Sequence, residues 1–339
     1  MKKRNVTINE VARAAGVSIS TVSRIINGTA FVAEDKREAV EAALKQLGFQ
    51  PNYLARTLIS GRSMSIGVIA EDIVSPYFAD VIRGIEHHLL DTDYQPILNS
   101  GHWSSPYELR AIETLIYRKV DALILLGSTL EDSKLLEIAE RVPLFIFGRI
   151  VKGLEDRCLA LDQFKGGYLA TRHLIELGHR DIVHITGPEN HLDALERLRG
   201  YQTALEDSGI PFQPQLVLQG DFLERTAYLS TLKLIESLSS FTAIFAANDQ
   251  MAAGARLALY RKGLRIPDDV SLVGYDDLPG TAFMSPPLTT VHQPTYDIGQ
   301  ALAKHVLQVI QEELAEMPEF ELSLVVREST SRLHRGYRV

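Results

Sequence analysis

The chain has 339 residues, 45% of them hydrophobic, 23% charged and 7% aromatic, with 23 Gly and 14 Pro, a composition that excludes collagenous, fibrous and intrinsically disordered classes. The formal net charge of -8 argues against a nucleic-acid partner only until it is divided along the chain. Residues 1–62 carry ten Lys/Arg against five Asp/Glu, a net of +5, while the remainder carries 25 against 38, a net of -13. A small basic module therefore precedes a large acidic one. One cysteine, Cys158, rules out an internal disulfide framework or a multi-cysteine zinc site, and its apolar surroundings predict a small buried residue in a reducing compartment. No run approaches the roughly 18 apolar residues of a membrane span, and the basic start Met1-Lys2-Lys3-Arg4 leads into Asn5-Val6-Thr7 instead of an apolar segment. The expectation is a cytoplasmic protein with no membrane partner.

In the basic module Thr7 is a good N-cap, and Ile8, Val11, Ala12 and Ala15 recur at helical spacing, so residues 8–14 read as a first helix. Gly16 supplies the positive φ of a sharp turn. Ser18 then caps a second helix over 19–26, whose buried stripe is Val22, Ile25 and Ile26 and which ends at Asn27-Gly28. Residues 35–47 make a third amphipathic helix, with Asp35 as its cap and Gly48 and Pro51 beyond its end. Three short helices with a Gly turn between the first two form a helix-turn-helix.

The ordered run Thr7-Ile8-Asn9-Glu10-Val11-Ala12, Ala15-Gly16-Val17-Ser18, Thr21-Val22-Ser23-Arg24, Asn27 and Leu47-Gly48-Phe49-Gln50-Pro51-Asn52 resembles the DNA-binding headpiece of the LacI/GalR family of bacterial transcription regulators. The second helix is then expected to enter the major groove of double-stranded DNA. There Arg24 can donate two hydrogen bonds to guanine, Ser20 can bond several bases, and Ile19 can meet a thymine methyl. Thr7, Ser18, Thr21, Ser23 and Asn27 are expected to meet phosphates or cap helices, and for Thr21 and Ser23 a plain helix-surface role stays open. The heptad from Asn52 to Leu58 resembles the family's hinge helix, in which two subunits place paired leucines in the minor groove. Leu58 is the matching wedge, with Ala55 on the same face and an ordinary linker helix as the alternative. So short a helix is expected to be unfolded away from DNA, and Leu58→Ala is expected to weaken operator binding far more than binding to other DNA.

From residue 65 onward apolar runs at 65–70, 96–99, 122–127, 143–148, 158–162, 182–186, 217–220, 243–247 and 271–275 alternate with amphipathic stretches of helical length. Such alternation predicts parallel sheets covered by helices, and about ten strands are too many for one comfortable doubly wound unit. Gly166-Gly167-Tyr168, Leu177-Gly178-His179-Arg180, Ala247-Asn248-Asp249-Gln250-Met251, Val273-Gly274-Tyr275-Asp276-Asp277, Pro287-Leu288-Thr289-Thr290-Val291 and Val325-Val326-Arg327-Glu328-Ser329-Thr330 resemble the same family, whose body is similar to periplasmic sugar-binding proteins. The implied fold class is α/β: an all-α helix-turn-helix headpiece followed by a two-lobed, periplasmic-binding-protein-like (type I) body with parallel sheets. The implied domains are 1–51 for the headpiece, 52–64 for the hinge helix and linker, and 65–339 for the effector-binding and dimerisation domain. Lobe one takes in about 65–161 and 293–321, and lobe two about 162–290 and 322–339. The chain crosses between them near 161–163, 290–293 and 321–323.

In open parallel sheets ligands bind beyond the carboxyl ends of the strands. Asp276, Asn248 and Asp162 end three of the apolar runs, and Phe222 follows a fourth. Carboxylates accept from neighbouring hydroxyls, an arginine donates a fork, and an aromatic face covers the apolar side of a pyranose. By resemblance, Arg197 matches the family's effector-binding arginine, Asp276 its hydroxyl-accepting aspartate, Phe222 its stacking aromatic and Asn248 a polar pocket position. Tyr77 and Phe78 stand where family members face the ligand. Asp162 has helix capping as its alternative, Phe78 a place in the core, Arg197 a helix surface, and Trp103 reads as a loop aromatic. Asp249 reads as a helix N-cap and Asp277 as a loop carboxylate. Arg149 stands where some sugar-responsive relatives carry an acid, which leaves it only a possible ligand group.

The sequence lacks Gly-x-Gly-x-x-Gly, Gly-x-x-x-x-Gly-Lys, His-Glu-x-x-His and Gly-x-Ser-x-Gly, so dinucleotide, P-loop, zincin and hydrolase-elbow chemistries have no usual support. The expectation is a homodimeric repressor that is not an enzyme, takes no cofactor or metal, and reads a pseudo-palindromic operator. Its small-molecule effector is a sugar, with the segment 155–162 leaning towards galactose-repressor-like members, and a nucleoside or purine is the alternative. Residues 331–339 carry no heptads, which favours a dimer over a tetramer.

Overall fold

A computed structural model describes residues 6–27, 32–49, 62–237, 240–314 and 316–333, except the side chains at 26 and 27. The chain divides into two compact units, Met1–Met64 and Ser65–Val339. In the first, α1 spans Ile8–Ala15, α2 Ile19–Asn27 and α3 Glu34–Leu47. A reciprocal capping box starts α1: Thr7 Oγ1 accepts from the Glu10 amide, and Glu10 Oε2 accepts from the Thr7 amide at 2.8 Å. Gly16 ends it in the left-handed region at φ 66°. Ser18 Oγ accepts from the Thr21 amide at 3.1 Å, the N-cap bond expected of it.

The third helix begins earlier than the sequence suggests. Ala33 is its extended N-cap, with no side-chain bond, and Glu34 and Asp35 both lie in the first turn, where carboxylates favour the positive end of the helix dipole. Asp35 is thus not the cap. The core of this unit is Val11, Ala12, Val22, Val40 and Ala43, with Ile8, Val17, Ile25, Leu44, Leu47 and Phe49 packed around it.

The second unit holds two sheets. The first has strand order β2-β1-β3-β4-β5, with β1 Ser65–Ala70, β2 Gln95–Ser100, β3 Ala122–Leu126, β4 Leu144–Phe147 and β5 Cys158–Leu159, all parallel. Its helices are α4 Pro76–Leu89, α5 Ser105–Tyr117 and α6 Asp132–Ala139. The second sheet has order β11-β10-β9-β8-β6-β7, with β6 Ile182–Ile185, β7 Val217–Leu218, β8 Ala243–Ala246, β9 Ser271–Asp276, β10 Thr289–His292 and β11 Ser323–Val325. Its helices are α7 Gln163–Glu176, α8 Leu192–Asp207, α9 Glu224–Ser237 and α10 Asp249–Arg261. The remaining helix, α11 Thr295–Ile310, follows β10 in sequence but packs on α4 of the first lobe.

The nine apolar runs of the sequence correspond to β1 through β9, while β10 and β11 are additional. The last of these departs from the parallel expectation: β11 runs antiparallel to β10, with Ser323 opposite His292. The reason is geometric. The chain leaves the second lobe from the end of β10, passes through α11, and re-enters beside that same end, so β11 can only run the other way. Each lobe has its own apolar core, centred on β1, β3 and β4 in the first and on β6, β8 and β9 in the second. Cys158 is buried in the first core, where burial pushes its thiol pKa up. Among the described residues no helix is long and apolar enough to cross a membrane.

Candidate functional site

The exposed end of α2 carries the residues expected to read bases. Ile19 is 50% exposed, and Ser20 and Arg24 are exposed beside it. Val22, between them, faces the core. Ser18 Oγ lies 2.8 Å from both Ser20 Oγ and Thr21 Oγ1, so the start of the helix presents a linked set of hydroxyls. Thr7 is exposed at the start of α1, and Thr21 and Ser23 are half-buried. Asn27 ends α2, but its side chain lies outside the described residues, as do Asn52, Ala55 and Leu58 entirely.

The second candidate site is a polar network where the lobes meet. Arg197 on α8 is 4% exposed. Its Nε donates to Gln163 Oε1 at 3.0 Å, one terminal nitrogen donates to the Ala247 carbonyl, and the guanidinium carbon lies 3.8 Å from the centroid of the Tyr275 ring. The same Gln163 oxygen accepts from Tyr275 Oη at 2.7 Å, while Gln163 Nε2 donates to Gln293 Oε1 at 3.2 Å. Gln293 Nε2 in turn donates to Asp276 Oδ1 at 2.7 Å, and Tyr77 Oη donates to Gln293 Oε1 at 3.4 Å. Asp193, one turn before Arg197, places Oδ2 3.9 Å from its guanidinium. Tyr77, Arg197 and Asp276 are thus joined through two glutamines that stand where the chain crosses between lobes.

The aromatic lining closes around this network. Phe78 lies 6.5 Å from Trp103 between ring centroids, and Trp103 lies 5.4 Å from His191 and 6.2 Å from Phe222. Trp103 therefore joins the first lobe to the second, a role its position in a loop did not disclose. Phe222 and Asp276 hold positive φ, at 67° and 112°, a strained backbone of the kind that surrounding structure must enforce at ligand sites. Asn248 serves the scaffold: its Oδ1 accepts from the Met251 amide at 2.9 Å as the N-cap of α10, and its Nδ2 donates to the Phe222 carbonyl at 3.0 Å. It holds Phe222 in place from behind.

Asp162 is not brought into the network. It is exposed, and its Oδ1 accepts from the Lys165 amide at 2.8 Å as the N-cap of α7, the second of the roles its position suggests. Asp249 is not an N-cap, because Asn248 takes that place; it is buried and accepts from Thr290 Oγ1 at 2.7 Å and the Leu278 amide at 2.9 Å. Asp277 pairs with Arg327 at 2.6 Å and with His292 at 3.0 Å. Arg149 ion-pairs with Asp132 at 3.2 Å.

Burial dominates the electrostatics. It pushes the Asp276 carboxyl up to about 7, although the positive Arg197 nearby pulls in the other direction. Burial likewise raises Asp249, Glu71 and the Tyr275 hydroxyl. An arginine fork, carboxylates and aromatic plates in one place suit a flat ligand rich in hydrogen-bonding groups. Among the described residues no cluster of His, Cys, Asp and Glu is arranged to hold a metal.

Two family descriptions match the chain: "Bacterial regulatory proteins, lacI family" over residues 7–52, and "Periplasmic binding proteins and sugar binding domain of LacI family" over residues 63–324. The chain belongs to the LacI family. Among its LacI-family relatives, the HTH-type transcriptional repressor PurR of Haemophilus influenzae (strain PittEE) is 38% identical over 306 residues, which cover 90% of this chain and 91% of the relative. The lac repressor dimer bound to operator and the anti-inducer ONPF matches with a TM-score of 0.86 at 29% identity, covering 97% of this chain and 100% of that one. The complex of the transcriptional regulator CelR with cellobiose matches with a TM-score of 0.70 at 33% identity, covering 96% and 100%. This LacI-family protein is a DNA-binding repressor whose body is an effector-binding domain.

Proposed function

We propose that this repressor binds a pseudo-palindromic operator as a homodimer in the bacterial cytoplasm, and that a sugar in the inter-lobe cleft sets its affinity for DNA. The observation that carries the reading is the pairing of Trp103 and Phe222 with Asp193, Arg197 and Asp276. Flat aromatic faces cover the C–H side of a sugar ring, while carboxylates and a guanidinium take its hydroxyls. Support also comes from two structural neighbours, one a dimer bound to operator DNA and the other a complex with cellobiose. The site residues are Tyr77, Phe78, Arg197, Phe222 and Asp276, with Asn248 behind Phe222 and Asp162 as a cap at the first crossing. Ile19, Ser20 and Arg24 read bases, Thr7, Ser18, Thr21, Ser23 and Asn27 position the headpiece on phosphates or cap its helices, and Asn52 of the hinge segment also meets DNA. Ala55 and Leu58 enter the minor groove. The protein acts by binding, not by catalysis, and uses no cofactor.

Gln163 and Gln293 give the coupling a physical route. A ligand that reorders their hydrogen bonds biases the lobe arrangement at two of the chain's crossings, and a coupling of about 1–3 kcal/mol is enough to change occupancy of DNA. A nucleoside or purine is the second reading. The rings of Tyr77, Phe78, Trp103 and Phe222 suit a base as well, and the 38% identical relative bears the name PurR. The test is a thermal-shift screen of mono- and disaccharides, nucleobases and nucleosides, followed by operator binding with and without the ligand that shifts the protein. A shift with a nucleoside or purine and none with any sugar replaces the first reading by the second.

A further inference from the structure

The effector site as described leaves one buried group unexplained. Glu71 follows β1 in the first lobe and is 5% exposed. Its backbone is held at both ends: the amide donates to the Leu126 carbonyl at 3.4 Å, and the carbonyl accepts from Ser100 Oγ at 3.2 Å. Its side-chain Oε2 is buried and has no hydrogen-bond partner among the described residues. Across the cleft His191, the N-cap residue of α8, has the same deficiency at Nδ1. The two side chains approach to 3.8 Å between His191 Nε2 and Glu71 Oε2, too far for a hydrogen bond. The His191 ring is itself packed between Trp103 and Phe222, at 5.4 and 5.2 Å between centroids, so both unpaired atoms sit beside the aromatic wall of the effector cleft.

A buried carboxylate oxygen without a donor is costly, and native structures keep such a group where a ligand or a mechanism uses it. Burial raises the pKa of the Glu71 carboxyl, and the nearby His191 offsets only part of that rise. A sugar hydroxyl can donate its one proton to Glu71 while accepting from a protonated ring nitrogen of His191, which no apolar group can do. Carboxylates at Glu71, Asp193 and Asp276 outnumber the Arg197 guanidinium, two of whose N–H groups are engaged by Gln163 and the Ala247 carbonyl, so a phosphate would be short of counter-charge there. We propose that Glu71 and His191, one from each lobe, form a hydroxyl-binding subsite of the cleft, and that it restricts the effector to uncharged sugars and rejects their phosphates. The proposal rests on the sugar reading above. By bridging residues of opposite lobes, the bound hydroxyl also holds the cleft closed.

The test uses the full-length protein and isothermal titration with neutral pentoses, hexoses and disaccharides, together with the 6-phosphates of the hexoses. Glu71→Gln and His191→Gln are compared with the wild type, and the thermal midpoint of each ligand-free protein is recorded. The expected result is binding of a neutral sugar by the wild type and a loss of about 10- to 100-fold in each variant. The ligand-free midpoint of Glu71→Gln is expected to be equal or higher, since the unpaired carboxylate is gone. A purely structural Glu71 gives the opposite pattern, a lower midpoint with affinity within about twofold of wild type, and overturns the subsite while leaving the sugar reading intact. A hexose 6-phosphate that binds as tightly as its parent sugar overturns it as well. Failure of every neutral sugar to bind the wild type overturns the sugar reading and this subsite together.

Discussion

The guanidinium carbon of Arg197 lies 3.8 Å from the centroid of the Tyr275 ring, and both side chains bond to the same oxygen of Gln163. Tyr275 thus supplies a face to the cation and a hydroxyl to its partner, and together they fix the fork. Arg197→Ala leaves Gln163, the Ala247 carbonyl and nearby carboxylates without their donor or counter-charge. It is expected to cost about 3–5 kcal/mol in urea unfolding. Arg197→Lys keeps the charge without the planar fork and costs less. Both are expected to lose the effector-induced thermal shift, and a wild-type shift in either contradicts the assigned role.

Asp276 makes stability and effector affinity respond to pH in opposite directions. Burial holds its carboxyl at about 7, against about 3.9 in an unfolded chain, so between those values the folded protein holds the extra proton. Its contribution to stability is greatest at the acid end of that window and is lost as pH rises towards 7. The carboxylate is the form that only accepts hydrogen bonds, so affinity for a hydroxyl-bearing effector rises over the upper part of the same window. Asp276→Asn is expected to flatten both trends, read as differences in melting midpoint and in Kd against wild type across a pH series.

Helices α7 and α8 cross so closely that Gly200 has no room for a side chain. A Cβ there would stand 2.2 Å from the Phe164 carbonyl oxygen and 2.6 Å from the Tyr168 nitrogen. Gly200→Ala is expected to cost about 1–3 kcal/mol or more and to weaken effector binding, because α8 carries Arg197. Gly280→Ala, where a Cβ meets nothing within 4 Å, is the control and should leave both unchanged in parallel denaturation and titration.

On DNA, Arg24→Ala is expected to cost about 1–3 kcal/mol at the preferred operator and to relax the choice of base at one position in each half-site. Selection of operator variants from a randomised pool reads this directly. An unchanged base preference would remove Arg24 from the base-reading set.

Much of this organisation can be read from local chemistry. Thr7 and Glu10 are three residues apart because a capping box requires it, and Gly16 stands where the turn needs a positive φ. The inner strands of both lobes are buried on two faces and so appear as continuous apolar runs, whereas the edge strands β2, β7 and β11 are half-buried or exposed. Arg197, Phe222 and Asp276 stand at places that strand ends and the family pattern mark out. Gln163 and Gln293 do not, because a polar residue at a helix start or in a connecting segment has no periodicity to distinguish it, although both lie in crossings that the family resemblance implies. Glu71 and His191 are separated by more than a hundred residues and meet only when the lobes do. Asn248 and Asp162 illustrate the converse: the same side chain can face a ligand or cap a helix, and only the fold decides between them.

The threading of the body has a consequence for synthesis on the ribosome. The first lobe is incomplete without α11, and the second lacks an edge of its sheet until β11 pairs with β10. The headpiece, with its own core within residues 6–49, can fold early in translation. The body must instead wait, its first lobe without α11 until residue 310 and its second sheet without an edge strand until nearly residue 325 has emerged, so the headpiece can be folded long before the protein can respond to a ligand.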